Sequence, residues 1–132
     1  VERLGIGDKV RFVNGISTEQ MVHYYAEAAI AVVPSVYEGF GLPAGEAMAC
    51  AVPVVSTDGG ALPEVVGDAG VIVPAKSAEA LEAAIEKLLL DPQLRDELGA
   101  RGKKRIEENF CWRVCAAQMT GYYRQVLANE NG

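Results

Sequence analysis

Two glutamates, Glu38 and Glu46, bracket a loop whose residues suit it to a phosphorylated ligand. The segment reads Pro34-Ser35-Val36-Tyr37-Glu38-Gly39-Phe40-Gly41-Leu42-Pro43-Ala44-Gly45-Glu46. Gly39 and Gly41 carry no Cβ, so the backbone there can approach a ligand closely. Pro43 suits the first turn of a helix. Amides at a helix start attract phosphate oxygens as donors and through the helix dipole. Carboxylates beside a diphosphate repel it, so these two need another task. Each can accept hydrogen bonds from hydroxyls, and a sugar nucleotide presents hydroxyls on its ribose and its hexose. Amides for phosphate, flanked by carboxylates for hydroxyls, make a chemically complete site for such a ligand. On spacing alone a second reading stands beside it, with Glu38 a solvated loop residue and Glu46 a helix-start carboxylate favoured by the dipole.

The elements that must position this loop follow from hydrophobic patterning. Residues 30–34 (IAVVP) form a continuous apolar strand that ends where the loop begins. Residues 52–56 give a second apolar strand, 71–73 a brief third, and 9–13 an earlier one. Runs that are apolar at every position suit parallel strands covered on both faces. Helical segments are expected over 18–28, 43–50 and around 63–66. This alternation predicts an α/β fold, a Rossmann-like parallel sheet flanked by helices, with ligands at the carboxyl ends of its strands. From residue 77 onward the pattern is helical. Leu81, Ala84, Ile85, Leu88 and Leu89 form one apolar stripe over 77–90. Asp91-Pro92 stops that helix and starts another. Residues 109–111 break it, and 112–127 make a final helix, so the sheet carries a helical C-terminal tail.

Composition excludes several classes. A net charge of −6, from 12 basic and 18 acidic residues, argues against a nucleic-acid surface. The cluster of Arg101, Lys103, Lys104 and Arg105 is followed by Glu107 and Glu108, and reads as a solvated helix face. A phosphate patch, or a peripheral contact with the inner face of a membrane, is its secondary reading. The three cysteines show no metal-ligand pattern and read as free thiols in a reducing cytoplasm. No long apolar run or leader is present, so the expectation is a cytoplasmic chain. His23, without a carboxylate or cysteine beside it, reads as a structural or surface residue. Asp58-Gly59-Gly60 before Pro63-Glu64 reads as a turn plus helix start that could border the same ligand. Trp112, Tyr122 and Tyr123 read as core or as an inter-domain face. The opening at Val1, inside a loop before a strand, reads as a piece of a longer protein.

With seven residues between them, Glu38 and Glu46 resemble the E-x7-E signature of family 4 (group 1) retaining glycosyltransferases of the GT-B fold. The surroundings are similar over nearly the whole chain: Val10-Arg11-Phe12-Val13 with Gly15, then VVPSVYEGFGLP, then EAMACAVPVVSTDGGALPEVV, AGVIVP, LLLDP and NFCW. The resemblance implies that residues 1–132 are a single, partial donor-binding domain, the C-terminal half of a GT-B fold. It implies that Glu38 binds hydroxyls of the transferred sugar as the catalytic residue. The amides of Gly39, Phe40 and Gly41 would contact the sugar, and those of Gly41 and Leu42 the phosphates. Glu46 would hold the ribose hydroxyls, with the backbone at Gly15 and Ile16 bordering the base. It further implies retention of anomeric configuration, no metal, no cofactor and no protein nucleophile, the leaving phosphate helping to deprotonate the acceptor. The partners implied are a nucleotide-sugar donor and an N-terminal acceptor domain. That domain and an upstream basic pair would lie outside this chain, which is therefore expected to be inactive alone. The donor nucleotide, the hexose and the acceptor are left open. Ala51, Cys111 and Ala29 depart from the family's usual Gly, Ser/Thr and Asp. The alternative is a non-catalytic nucleotide-sugar-binding or scaffold module of the same fold. A retaining glycoside hydrolase, needing carboxyls about 5–5.5 Å apart across one bond, fits this loop poorly.

Overall fold

The computed structural model describes residues 1–130. The apolar runs become a parallel sheet, β1 (Ala31–Val33), β2 (Val54–Thr57) and β3 (Val71–Val73), in the order β1-β2-β3. Ala31 pairs with Val54, and Val55 with Val71. The helices are α1 (Thr18–Glu27), α2 (Leu42–Ala49), α3 (Leu62–Val66), α4 (Ala78–Leu90), α5 (Pro92–Asn109) and α6 (Trp112–Glu130). This is the helix-flanked α/β sheet with a helical tail that the patterning predicts.

β2 is the central strand, and all four of its residues are buried. Its side chains alternate between two cores, as the pleat requires. Val54 joins Met48, Leu62 and Val66 beneath α2 and α3. Val55 joins Ala84, Leu88 and Leu98 beneath α4 and α5. The expectation of cover on both faces fails for β1, where Val32 is 39% exposed. α4 packs on β2 and β3, and β1 is paired only with β2. The strand expected over 9–13 is also absent. Val10 has extended dihedrals, but no described strand pairs with the segment and Phe12 is 82% exposed. A strand needs a neighbour's ladder to persist.

Local chemistry sets the helix ends. Ser17 and Gln20 form a reciprocal capping box on α1. Ser77 caps α4, and Asp91 caps α5 by accepting from the Leu94 amide at 2.9 Å. α2 ends with the Ala51 amide on the Met48 carbonyl and the Val52 amide on the Ala47 carbonyl. That is a Schellman closure, with Ala51 at φ 59° in the left-handed position glycine prefers. α5 passes very near this turn, because a Cβ on Gly99 would stand 2.2 Å from the Ala51 carbonyl oxygen.

Two expectations about the tail need correction. Arg101 and Arg105 are not merely solvated: they clasp α5 to the end of α3. Arg101 pairs with the Asp68 carboxylate at 2.6 Å. Arg105 donates to the carbonyls of Glu64 and Val65 at 2.7 and 2.8 Å, placing a cation at a helix C-terminus. Of the two readings of the α6 aromatics, core or inter-domain face, the core one fails, since Trp112 is 90% and Tyr122 72% exposed. An open groove of about 720 Å³ follows that helix past Cys115, Met119 and Tyr122. All three cysteines are free. At the start of α6 the amide of Val114, with that of Arg113, holds the Cys111 thiol below its usual pKa.

Candidate functional site

β1 delivers the chain to Pro34, and residues 35–41 turn it into α2. Gly41 makes the turn, with φ 86° at the residue that opens the helix. A Cβ there would meet the Leu62 side chain at 2.9 Å as well as adopting a left-handed backbone. The amides of Ala44 and Gly45 both return to the Gly41 carbonyl at 3.1 Å. The amides of Gly39, Phe40, Gly41 and Leu42 donate to no acceptor among the described residues. The turn thus leaves a run of unused donors at the positive end of a helix. Around Gly39 nothing lies within 4 Å of the place a Cβ would occupy, so this stretch of backbone faces open space.

The loop is held from two sides. The Phe40 ring meets Phe110 edge-on, centroids 6.0 Å apart, which pins its tip to the end of α5. From below it rests on the β2–α3 connection. The Thr57 hydroxyl donates to the Ser35 carbonyl, and the Ala61 amide donates to the Glu38 carbonyl at 2.9 Å. A Cβ on Gly60 would stand 2.2 Å from the Glu38 oxygen, and one on Gly59 2.7 Å from the Val36 oxygen. The Asp58-Gly59-Gly60 turn is therefore the floor under Glu38, a role that reading it as a turn plus helix start does not reveal. Asp58 itself is committed elsewhere, accepting from the Ala75 amide at 2.7 Å.

Each glutamate has one protein hydroxyl as partner. The Ser35 hydroxyl donates to Glu38 Oε1 at 2.8 Å. The Tyr25 hydroxyl donates to Glu46 Oε2 at 3.3 Å, and also lies 3.4 Å from the Pro43 carbonyl. Burial pushes the Tyr25 phenol above its ordinary pKa, and the neighbouring Glu46 charge adds to the rise. Glu46 and Phe40 share the lining of a cavity of about 220 Å³ with Leu42, Ile106 and Phe110.

The structure thus sets Glu38, Gly39, Phe40, Gly41, Leu42 and Glu46 on one loop–helix unit at the carboxyl end of β1. Gly15 and Ile16 sit just ahead of the Ser17 cap of α1, with Gly15 at φ 63°. Their tie to the unit is indirect, through α1 and Tyr25. His23 does have a carboxylate neighbour, contrary to the sequence reading: its Nε2 lies 3.3 Å from Glu27 Oε1, on an exposed helix face. Sequence reasoning missed Ser35 and Tyr25, and saw in Gly60 a turn that could border the ligand but not its place under Glu38. For Ser35 a signal existed, a hydroxyl three residues before a loop carboxylate.

Residues 1–105 match the family described as glycosyl transferases group 1. The chain belongs to that family. It is 42% identical over 132 residues to the MMP alpha-(1->4)-mannosyltransferase of Mycolicibacterium hassiacum, a match covering 97% of this chain and 32% of that protein. Sucrose-phosphate synthase from Thermosynechococcus elongatus superposes with a TM-score of 0.87 at 42% identity, over 97% of this chain and 33% of the other. A glycosyltransferase from Rickettsia africae shares the fold, with a TM-score of 0.86 at 21% identity, covering 97% of this chain and 35% of that one. The chain thus spans about a third of the length of these group 1 glycosyltransferases. No helix among the described residues is long and apolar enough to cross a membrane.

Proposed function

We propose that this chain is the donor-binding part of a retaining hexosyltransferase that takes its sugar from a nucleoside diphosphate. The observation that carries this reading is the run of uncommitted amides from Gly39 to Leu42 at the start of α2, flanked by Glu38 and Glu46. The amides of Gly41 and Leu42 hold the diphosphate, and those of Gly39 and Phe40 lie along the sugar. Glu38 accepts hydroxyls of that sugar and keeps its anomeric carbon in a reactive pose. Glu46 accepts the ribose hydroxyls, and the base extends toward Gly15 and Ile16. Group 1 relatives whose names specify mannosyl transfer and sucrose-phosphate synthesis support a hexose as the transferred group. An N-terminal domain of the same protein holds the acceptor, and basic residues from the first βα units of the donor-binding domain complete phosphate neutralisation, in the cytoplasm. No metal takes part.

Calorimetric titration of the full-length protein with UDP, GDP and ADP, with and without a divalent-ion chelator, tests the reading. One diphosphate is expected to bind with affinity unchanged by chelator. Failure of all three to bind would overturn the donor site, and a large loss with chelator would overturn its metal-free phosphate recognition.

A further inference from the structure

A carboxylate on an exposed loop can turn about its side-chain torsions, and orientation is what a sugar-gripping group must supply. Glu38 does not stand free. Its Oε1 receives the Ser35 hydroxyl at 2.8 Å, a normal distance for a hydroxyl donating to oxygen. Ser35 is itself anchored, because its carbonyl receives the Thr57 hydroxyl at the end of β2. The Glu38 backbone is fixed by the Ala61 amide and confined by Gly60 beneath it. The carboxylate is thereby set at both ends, main chain and Oε1, and Oε2 is left for a ligand.

We infer that Ser35 is a positioning residue for the transfer reaction, aiming Glu38 Oε2 at the hydroxyls of the transferred hexose. This role presupposes that Glu38 holds that sugar. Ser35 touches neither donor nor acceptor; it acts through Glu38. Its contribution belongs to the geometry of the reacting sugar and not to the grip on the nucleotide, which rests on the amides and Glu46.

The test uses the full-length protein, with nucleoside diphosphate release from GDP-mannose and UDP-glucose as the rate and calorimetry with GDP and UDP as the affinity. Ser35→Ala is expected to lower kcat by about tenfold, the worth of one hydrogen bond to a charged group, with nucleoside diphosphate affinity and melting temperature unchanged. Ser35→Thr, which keeps the hydroxyl, is expected to recover most of the rate. In a Glu38→Ala background the Ser35→Ala change should cost nothing further. Unchanged kcat in Ser35→Ala, with kcat of Glu38→Ala cut by roughly tenfold to a hundredfold, would overturn the role of Ser35 and leave the donor site standing. Normal turnover by Glu38→Ala would overturn the donor-site reading itself. Equal losses for Ser35→Ala and Ser35→Thr would also overturn the role of Ser35, because a positioning hydroxyl must be replaceable by another.

Discussion

The phenol of Tyr25 donates to the carboxylate of Glu46 across 3.3 Å, tying α1 to α2 although 21 residues separate the two in sequence. One carboxylate oxygen is therefore occupied by the protein, and the other is free for a ligand. The pairing also has a pH consequence. Tyr25 has a raised pKa in the folded state, through burial first and the Glu46 charge second. A phenol raised on folding stabilises the native state fully below its ordinary value near 10.0, and that contribution fades as pH climbs through the folded value. The Tyr25 titration, taken as the ultraviolet difference between wild type and Tyr25→Phe, is expected to lie above 10.0. Glu46→Gln should lower it only in part, since desolvation persists.

The two glutamates should separate kinetically. If Glu46 grips the ribose, its contact is equal in ground and transition states. Glu46→Ala should then raise the donor KM and weaken free nucleoside diphosphate by roughly tenfold to a hundredfold. Glu38→Ala should leave nucleotide affinity nearly untouched and cut kcat by a similar factor. Equal losses of nucleotide affinity in both variants, by calorimetry on the full-length protein, would sink the division of labour.

Glycines on the two sides of Glu38 should respond oppositely to a single methyl. Gly60→Ala places a Cβ against the Glu38 backbone at a φ of 64°, so it is expected to cost about 1–3 kcal/mol and to displace Glu38. Gly39→Ala meets no protein atom within 4 Å and should leave the denaturation midpoint unchanged. If the donor lies along that backbone, Gly39→Ala will still weaken donor binding. Urea unfolding paired with donor titration distinguishes the two effects, and a Gly39→Ala variant that binds donor normally would place the ligand elsewhere.

Ala51 is a stability reserve. It holds a left-handed conformation at the glycine position of the α2 closure, at φ 59°. A Cβ there costs on the order of 1–2 kcal/mol, part of which is offset by the greater unfolded freedom of glycine. Ala51→Gly is expected to raise stability by about 1 kcal/mol in denaturant unfolding, with no change in nucleotide affinity. Gly99→Ala, at the contact with the same turn, should destabilise by more than that, because its Cβ would stand 2.2 Å from a backbone oxygen.

By itself the sequence determined the strands that are apolar at every position, because a central parallel strand needs nothing beyond burial on both faces. The run over 52–56 was legible for that reason and became Val54 to Thr57, whereas Val71 to Val73, half-buried at the sheet edge, was legible from its β-branched run alone. It also determined the Glu38-to-Glu46 unit, since the glycines and Pro43 dictate a loop that opens a helix whatever packs around it. Partnership across the chain was decided only by the tertiary structure. Residues 9–13 carry strand propensity yet find no ladder, because hydrogen bonds between strands require a neighbour that propensity cannot supply. Tyr25 meets Glu46, and Gly60 clears room for Glu38, only because α1 and the β2–α3 turn converge on one loop. Arg101 and Arg105 read as solvent charges until packing brings α5 to the end of α3, where Arg101 meets the Asp68 carboxylate and Arg105 the Glu64 and Val65 carbonyls. A hydrogen bond forms where packing brings two groups within about 3 Å, and that distance depends on every element between them.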